Sequence, residues 1–309
     1  MTILQQKRLK TGVLGGLITW LPYLAPALFF YILFMAWPLV DSLRLSLYTG
    51  SGGNRHFVGF ENFKKLFTVE PYSQRYWGAF GHTLYFFLMH ILVQNCLGIL
   101  FATLLTNRSM KGAGFYQTVL FIPVTLAVLV TGYLWKLMLN PVWSGPFLEK
   151  LRLGFLARPW LGDRTTALTS VALVSCWQWI GIPTMMFVAA LRNISEDFFE
   201  AATIEGANGY QVFWHIKLPL IKPVVGMIAI LTFVNNFNAF DVVFAMENVN
   251  GAPNYATDLI GTLFYRVGIA GQHPVGIPEP GLGAAIATIT FFVLCLGVIP
   301  TLSLTQNKG

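Results

Sequence analysis

Long stretches without any Asp, Glu, Lys or Arg are the feature of this sequence that most restricts its fold. Such stretches cover residues 11–40, 76–107, 112–135, 165–191, 223–240 and 280–307. A helix needs about 20 consecutive apolar residues to cross a bilayer, and five of these six stretches exceed that length. The sequence therefore predicts an all-α integral membrane protein whose six transmembrane helices lie near residues 13–38, 80–105, 115–139, 167–190, 221–246 and 283–304.

The composition supports a membrane protein and argues against several other classes. Charged residues make up 11% of the 309 residues, whereas a soluble domain contains about 25%. A disordered chain would have low hydrophobicity and many charges. The net charge of +7 comes from scattered basic residues with no cluster that could follow a phosphate backbone, so no nucleic-acid partner is expected. Three cysteines, far apart and each in an apolar stretch, predict neither a metal site nor a disulfide framework.

The distribution of Lys and Arg orients the predicted bundle. Placing the N-terminus inside gives the inner segments the higher density of basic residues, as the positive-inside rule favours. Both termini are therefore expected in the cytoplasm, and the outer segments are 41–79, 140–166 and 247–282. The first should contain a short amphipathic helix over residues 60–67, and the last, rich in Pro and Gly, should form an irregular hairpin.

The long inner segment between the fourth and fifth predicted spans has the sequence of two short helices. Ser195 can cap the first helix, Gly206 can end it with a positive φ, and Asn208 can cap the second. Pro219 and Pro223 should then begin the next span. Two interpretations are open for this elbow. It is either an amphipathic pair that packs on its own bundle or a docking element for a cytoplasmic partner.

A motif in this segment favours the docking element. The pattern Glu200-Ala201-Ala202-x-x-x-Gly206, followed after nine residues by Ile216-x-Leu218-Pro219, resembles the EAA loop of permease subunits in binding-protein-dependent ABC importers. Other segments are similar to the carbohydrate branch of that family, and residues 281–288 are similar to the larger permease of the maltose system. The resemblance implies the type I ABC importer permease fold, with residues 1–309 as a single transmembrane domain and 195–219 as a cytoplasmic coupling loop. Compared with that maltose permease, the chain lacks two N-terminal spans and a large periplasmic domain.

The resemblance also implies a set of partners. These are a second homologous permease subunit, a dimer of ABC ATPase subunits, an extracytoplasmic substrate-binding protein, a saccharide substrate and membrane lipid. The sequence has no G-x-x-x-x-G-K-[ST] loop, so no cofactor is expected in this chain, and ATP and Mg are expected on the partner ATPase. The chain is interpreted as a transport subunit and not as an enzyme. The residues expected to couple it to the ATPase are Phe198, Phe199, Glu200, Ala201, Ala202, Gly206, Ile216, Leu218 and Pro219.

Polar residues inside the predicted spans indicate where a substrate would pass. Helix five carries Asn235, Asn236 and Asn238, whose amides can exchange hydrogen bonds with sugar hydroxyls. The alternative use of these asparagines is hydrogen bonding between helices. In helix four, Gly181 and Pro183 should weaken or kink the helix, in a segment that resembles part of the sugar site of maltose-type permeases. By that resemblance, the substrate-lining residues are expected to be Ile180, Gly181, Thr184, Thr232, Asn235, Asn236 and Ala239.

Five further polar residues in the predicted spans are weaker candidates. Gln94 and Asn95 on helix two could also face the pathway. His82 and His90 on the same helix could mark a proton path, but packing or hydrogen bonding is favoured because no acidic residue lies near them in sequence. Lys136 is expected to extend to the outer interface.

These observations predict the permease subunit of an importer in the bacterial cytoplasmic (inner) membrane that moves a di- or oligosaccharide by alternating access. An importer of the same family for a polyol, a glycerol phosphate or an anionic oligosaccharide is the alternative. An anionic saccharide becomes plausible if Lys136 faces the pathway. A secondary transporter would need intramembrane acidic residues and an inverted repeat. An intramembrane enzyme would need a catalytic constellation. Neither pattern is evident in the sequence.

Overall fold

The computed structural model describes residues 13–50, 54–107 and 109–306, and for 13–19 and 303–306 it describes the backbone alone. Nearly all of the described secondary structure is helical, with one antiparallel pair of two-residue strands. The elements are α1 (13–45), β1 (Tyr48–Thr49), β2 (His56–Phe57), α2 (Glu61–Thr68), α3 (Tyr72–Leu105), α4 (Ala113–Thr125), α5 (Val128–Met138), α6 (Pro141–Lys150), α7 (Ala167–Trp179), α8 (Gly181–Arg192), α9 (Asp197–Ile204), α10 (Gly209–Leu220), α11 (Lys222–Phe237), α12 (Asp241–Glu247), α13 (Ile260–Ala270) and α14 (Pro280–Gln306).

The lengths of the helices agree with six membrane spans. Among the described residues, α1, α3 and α14 are each long and apolar enough to cross a membrane alone. Three more spans result if two helices joined by a bend count as one. The bent pairs are α4 with α5 at 96°, α7 with α8 at 44°, and α10 with α11 at 68°.

The third span is not the continuous helix predicted over residues 115–139. α4 ends in a 3₁₀ turn, Ile122–Thr125, because Pro123 has no amide hydrogen to donate within a helix. Leu126 is then extended, with ψ of 140°, and α5 leaves at 96° to α4. The Gln178 side-chain amide donates to the Leu126 carbonyl at 3.0 Å, which satisfies part of the backbone that the break exposes.

The fourth and fifth spans are also interrupted. The kink expected near Gly181 is confirmed, because α7 and α8 meet there at 44°. The prediction of one fifth helix over residues 221–246 is wrong, since α11 ends at Phe237 and a three-residue break precedes α12. This break packs tightly on α13, where a Cβ on Gly261 would lie 2.4 Å from the Ala239 carbonyl oxygen.

Two helices begin or end beyond their predicted limits. α1 continues to Leu45 instead of residue 38 and contains a π turn at Ile32–Ala36. Its most apolar window within Trp20–Leu45 has no buried residue, and its last part packs on α14. α3 begins at Tyr72, before the predicted start of the second span.

The remaining helices pack around three buried clusters of apolar side chains. The cluster that contains Leu263 joins α3, α11, α13 and α14. The cluster around Met246 joins α3, α7 and α12, and the cluster around Phe187 joins α3, α8 and α11. α13 and α14 touch backbone to backbone, because a Cβ on Gly283 would lie 2.7 Å from the Cα of Gly268. α3 contributes to all three clusters and is therefore central to the bundle.

The segments between the spans contain more helix than predicted. The amphipathic helix expected over residues 60–67 is confirmed as α2. The irregular hairpin predicted for 247–282 is wrong in part, because α13 forms within it. Ile260, Leu263 and Val267 of α13 lie in the buried cluster with α14, and the helical spacing of three and four residues brings them to one face.

The two-helix elbow predicted after the fourth span is confirmed as α9 and α10. Gly206 has φ of +75°, and its amide donates to the Thr203 carbonyl while the Ala207 amide donates to the Ala202 carbonyl. This pair of bonds is the Schellman arrangement that ends helices. Asn208 then caps α10 in a capping box with a glutamine three residues later.

Two details of the elbow differ from the prediction. α9 begins at Asp197, so Glu196 and not Ser195 occupies the N-cap position. The Ser195 hydroxyl instead donates to the Asp197 carboxylate at 3.0 Å. Pro219 lies in the last turn of α10 and does not open the next span, whereas Pro223 lies in the first turn of α11.

Candidate functional site

A cavity of about 500 Å³ lies among α3, α7, α8 and α11. Polar and aromatic side chains from several helices meet in its wall. Among the residues that line it are Phe86, His90, Gln94, Ser175, Trp179, Thr232, Asn235, Asn236, Asn238, Phe240 and Asp241. Polar groups inside a membrane are costly unless they are paired or face a cavity. This cavity is therefore the candidate passage for a polar solute.

α11 contributes the polar face that the sequence predicts. Thr232, Asn235, Asn236 and Ala239 follow the spacing of one helical face, and all four line the cavity. Asn236 is 5% exposed, and its side-chain amide donates to the Thr232 carbonyl at 2.7 Å. Asn238 follows the end of α11 and also lines the cavity.

Ile180, Gly181 and Thr184, the lining residues predicted from helix four, are not among the described residues that line this cavity. A Cβ on Gly181 would lie 2.7 Å from the Leu120 carbonyl oxygen, so this glycine permits the close crossing of α8 and α4. Thr184 is fully buried, and its hydroxyl donates to the Ile180 carbonyl at 2.7 Å. The opposite side of the bent pair faces the cavity through Ser175, Trp179, Ile182, Pro183 and Met186.

α3 supplies two wall residues for which the sequence carries a weaker signal. His90 and Gln94 lie in a π turn, His90–Asn95, and both line the cavity. His90 Nδ1 lies 2.8 Å from the Phe86 carbonyl and Nε2 lies 3.0 Å from the Ser175 hydroxyl. A carbonyl can only accept, so Nδ1 is the donor, and in the neutral ring Nε2 accepts from Ser175. The hydrogen-bonding interpretation of His90 is thus confirmed.

Two oxygens in this wall have no hydrogen-bond partner among the described residues. They are Oε1 of Gln94 and Oδ1 of Asn236, and the two residues are 6% and 5% exposed. A buried acceptor without a partner costs about 1–3 kcal/mol. The sequence signal for this pair is modest, because an isolated Gln or Asn in a span is equally typical of contacts between helices.

The 195–219 loop presents a different kind of surface. A cleft of about 620 Å³ lies between α9 and the ends of α3 and α8. Large apolar side chains of the loop are exposed, with exposed fractions of 51% for Phe198, 87% for Ile204 and 48% for Trp214, and Ile204 lines the cleft. The Lys217 ammonium lies 5.6 Å from the ring centre of Phe199, and burial lowers the pKa of Lys217. Unpaired apolar groups of this size are typical of a surface that binds another protein.

The motif residues of this loop differ in exposure. Glu200, Ala201, Gly206 and Pro219 are exposed with Phe198, whereas Ala202 is buried. Phe199 and Glu200 line the cleft. Ile216 and Leu218, like Phe199, are half-buried. The motif therefore divides into residues that hold the elbow on the bundle and residues that face outward.

The 248–279 segment, between α12 and α14, contains a buried ion pair that the sequence analysis missed. Arg266 is fully buried and bonds to both carboxylate oxygens of Asp258. Its guanidinium also donates to the carbonyls of Val249 at 2.9 Å and His273 at 2.7 Å. The Thr262 hydroxyl donates to Asp258 at 2.7 Å. These bonds join α13 to both flanking loops. No local sequence pattern predicts the Asp258–Arg266 pair, whose members are eight residues apart.

Lys136 lies away from the cavity. It interacts electrostatically with Glu247 at the end of α12, and it is absent from the described residues that line the cavity. α5 and α12 approach closely there, because a Cβ on Gly132 would lie 2.4 Å from the Cβ of Ala245. The condition that favoured an anionic substrate, Lys136 in the pathway, is therefore not met.

Broken spans around a polar cavity, together with a helical elbow that exposes apolar residues, define a membrane-spanning transport subunit. Comparison with known proteins identifies the family. The model of the family described as "Binding-protein-dependent transport system inner membrane component" matches residues 94–305, which is more than half of the chain. The chain belongs to this family, and it is the permease subunit of an ABC importer.

Individual relatives agree over most of the chain. The arabinooligosaccharides transport system permease protein AraP of Bacillus subtilis is 27% identical over 292 residues, covering 93% of this chain and 90% of AraP. The sn-glycerol-3-phosphate transport system permease protein UgpA of Agrobacterium fabrum is 32% identical over 252 residues, covering 80% of this chain and 82% of UgpA. Both are transport permeases, which confirms the class that the EAA-like motif predicts.

A solved structure confirms the fold. A chain in the crystal structure of a bacterial ABC transporter involved in the import of the acidic polysaccharide alginate superposes with a TM-score of 0.78. The superposition covers 94% of this chain and 96% of that chain, at 20% sequence identity. The type I ABC importer permease fold predicted from the sequence is therefore correct.

Proposed function

We propose that this chain forms one half of the membrane passage of a saccharide importer and that the α3–α7–α8–α11 cavity receives the sugar. The observation that carries the proposal is the polar face of α11, where Thr232, Asn235 and Asn236 line one cavity. Amides and hydroxyls both donate and accept, which suits the hydroxyls of a sugar. Trp179 and Phe240 in the same wall offer ring faces to its apolar carbons.

The 195–219 loop is proposed as the contact with the ATPase subunits. Phe198 and Ile204 are exposed, and Ile204 lines the cleft. A large apolar side chain that inserts into a partner pocket is a common anchor. Glu200 lines the same cleft and would add an ionic contact. Phe198, Phe199, Glu200, Ala201, Ala202, Gly206, Ile216, Leu218 and Pro219 form this proposed coupling surface.

The proposed mechanism is alternating access. ATP and Mg bind to a dimer of separate ATPase subunits, whose closure draws together the loops of this chain and of a second, homologous permease. The bundle then opens outward to accept sugar from an extracytoplasmic binding protein, and hydrolysis returns it to the inward-open state. Breaks in the third, fourth and fifth spans supply the joints for such a motion, since short helix segments can tilt separately.

The orientation that this mechanism needs places the 195–219 loop and both termini in the cytoplasm. The membrane is then the bacterial inner membrane, in keeping with the family description. Arg192, Lys217 and Lys222 near the loop agree with the positive-inside rule. A cysteine at exposed Glu205, in the same loop but outside the proposed coupling surface, should therefore react with a membrane-impermeant thiol reagent in inverted vesicles but not in intact cells.

Reconstitution tests the function directly. The complete transporter, purified through a tag on this chain and placed in proteoliposomes with its binding protein, should hydrolyse ATP faster when supplied with one sugar of a panel. The panel consists of arabinobiose, maltose, lactose, melibiose, glycerol 3-phosphate and an alginate oligosaccharide. Uptake of a labelled neutral sugar together with the stimulated hydrolysis supports the proposal. Stimulation by glycerol 3-phosphate alone would overturn the saccharide assignment.

A further inference from the structure

The cavity wall is polar but carries no positive charge. Of the described residues that line it, none is lysine or arginine, and Asp241 is the one carboxylate. An anionic solute would therefore meet a like charge and would have no cation to replace its lost hydration. Moving an uncompensated anion out of water is strongly unfavourable.

The wall also holds two acceptors without donors. Gln94 Oε1 and Asn236 Oδ1 have no partner among the described residues, and they come from different helices, α3 and α11. Each of the two residues is more than nine-tenths buried and lines the cavity. A hydroxyl hydrogen of a bound solute is the group that such an oxygen lacks.

The neighbouring polar groups of the wall already have partners within the protein. The Thr232 hydroxyl donates to the Ile228 carbonyl at 2.8 Å, and the His90 ring is bonded to Phe86 and Ser175. The free capacity of the wall is therefore neutral and of both kinds: the Gln94 and Asn236 oxygens can accept, and the side-chain NH2 groups of Gln94 and Asn235, which have no partner among the described residues, can donate. Neutral donors and acceptors together match sugar hydroxyls, which both donate and accept, and they supply no cation for a phosphate or carboxylate.

From these observations we infer that this site takes an uncharged polyhydroxyl ligand and rejects its anionic counterparts, with Gln94 of α3 as a specificity-determining contact beside Asn236. The inference rests on the proposed saccharide function and narrows its substrate class. It also separates this chain from the solutes in the names of two of its relatives, glycerol 3-phosphate and alginate, both of which carry negative charge.

The contact of Gln94 is tested by pairing a protein change with a ligand change. Uptake into proteoliposomes is measured for the neutral panel sugar that wild type transports and for each of its monodeoxy analogues. In wild type, loss of the hydroxyl that Gln94 binds should lower uptake about tenfold or more. Gln94→Leu should take up the full sugar more slowly than wild type by a similar factor. Gln94→Leu should then take up the deoxy analogue as fast as it takes up the full sugar, because the contact is already lost.

Gln178→Leu is the matched control. Gln178 is also a buried glutamine with an unpaired side-chain oxygen, but it does not line the cavity. Its loss should lower uptake of every analogue by one common factor. The same binding protein is used in all experiments. Its own preference among the sugars therefore cancels when the uptake rate of each analogue by a variant is divided by the rate for wild type. If the loss caused by Gln94→Leu and the loss caused by the missing hydroxyl add for every analogue, Gln94 contacts none of these hydroxyls and the inference is overturned.

The charge preference is tested with the uronic acid form of the same sugar. Wild type should carry the uronate at least tenfold more slowly than the neutral sugar. Asp241→Asn should raise the ratio of uronate to neutral uptake severalfold, because it removes the negative charge at the cavity. Equal uptake of both forms by wild type, or a ratio unchanged in Asp241→Asn, would overturn the charge selection. A wild type that moves no saccharide at all would instead refute the proposed function.

Discussion

The two long segments that connect the last three spans are built in opposite ways. The 195–219 loop leaves Phe198, Ile204 and Trp214 exposed, and its helix-ending bonds are local. The 248–279 segment buries Asp258 and Arg266 and pairs them with each other. Arg266 also donates to the carbonyl of Val249, 17 residues away in sequence. The first segment leaves open an apolar surface that we propose a partner protein covers, whereas the second pairs its buried charges internally and packs α13 against α3 and α14.

The comparison separates two sources of rigidity. A loop that must dock can take its final stability from the partner, so its own contacts need only hold the helices in register. A segment that closes on itself needs strong internal bonds, and a buried Arg–carboxylate pair provides geometry as well as energy. Substitutions in the two segments should therefore fail in different ways, one in coupling and the other in folding.

Removal of the buried arginine should have the largest effect. Arg266→Ala leaves Asp258 buried without its charge partner, and such a change typically costs about 3–5 kcal/mol. Thermal unfolding of the purified chain in detergent measures it. Lys65→Ala is the control, because the Lys65–Glu279 pair is about one-quarter exposed and should contribute about 0–1 kcal/mol. Equal losses for both variants would contradict the role of the buried Asp258–Arg266 pair in holding the 248–279 segment.

Changes on the exposed side of the 195–219 loop should affect coupling and leave folding intact. Phe198→Ala and Glu200→Ala should keep the unfolding free energy within about 0.5 kcal/mol of wild type. Stimulation of ATP hydrolysis by the loaded binding protein should fall about tenfold or more, as expected for a central contact. Glu205→Ala is a matched exposed carboxylate outside the motif, and it should behave as wild type. Normal stimulation in both motif variants would refute the coupling role.

The cap of α10 should have a smaller effect that is confined to the loop. Asn208→Ala removes the side-chain acceptor for the Gln211 amide, now at 2.9 Å, and the loss of such a cap costs about 1 kcal/mol. Hydrogen exchange should rise in α10 and stay unchanged in α13. Equal protection of α10 in the variant and in wild type would show that docking on the bundle, and not the cap, holds this helix.

The smallest expected effect is a pH dependence of the 248–279 segment. Burial, with added repulsion from Arg75 and Arg266, lowers the pKa of His273 below its usual value of 6.5. The folded state then binds fewer protons than the unfolded state, so stability is full above pH 6.5 and declines as the pH falls below it. The melting temperature should drop slightly between pH 7 and pH 5.5 and should drop less in His273→Gln. An identical decline in both proteins would assign the effect to another group.

Sequence patterns predicted the features that depend on neighbouring residues. Gly206 and Asn208 end and begin helices through local bonds, and the elbow was predicted from them. The polar face of α11 was also predicted, because Thr232, Asn235 and Asn236 follow a helical spacing. The fold class was predicted from uncharged stretches alone, since the bilayer imposes a minimum helix length.

The errors concern features that are decided by packing between helices. In helix four, a glycine can mark either a ligand site or a close helix crossing, and the sequence alone does not show that Gly181 makes the crossing with α4. The break after Phe237 forms where the chain meets Gly261 of α13, far along the sequence. The Asp258–Arg266 pair likewise depends on three segments that come together in the fold.

The exposure of α1 has a consequence for the order in which the protein is assembled. α1 is synthesised before α14, yet the apolar window within Trp20–Leu45 buries nothing in the chain, and the end of α1 packs on α14. A helix of this hydrophobicity can insert into the bilayer as an independent unit before its neighbours exist. Its docking must then wait until α14 has been synthesised, so two helices far apart in the sequence join in one late step of biogenesis.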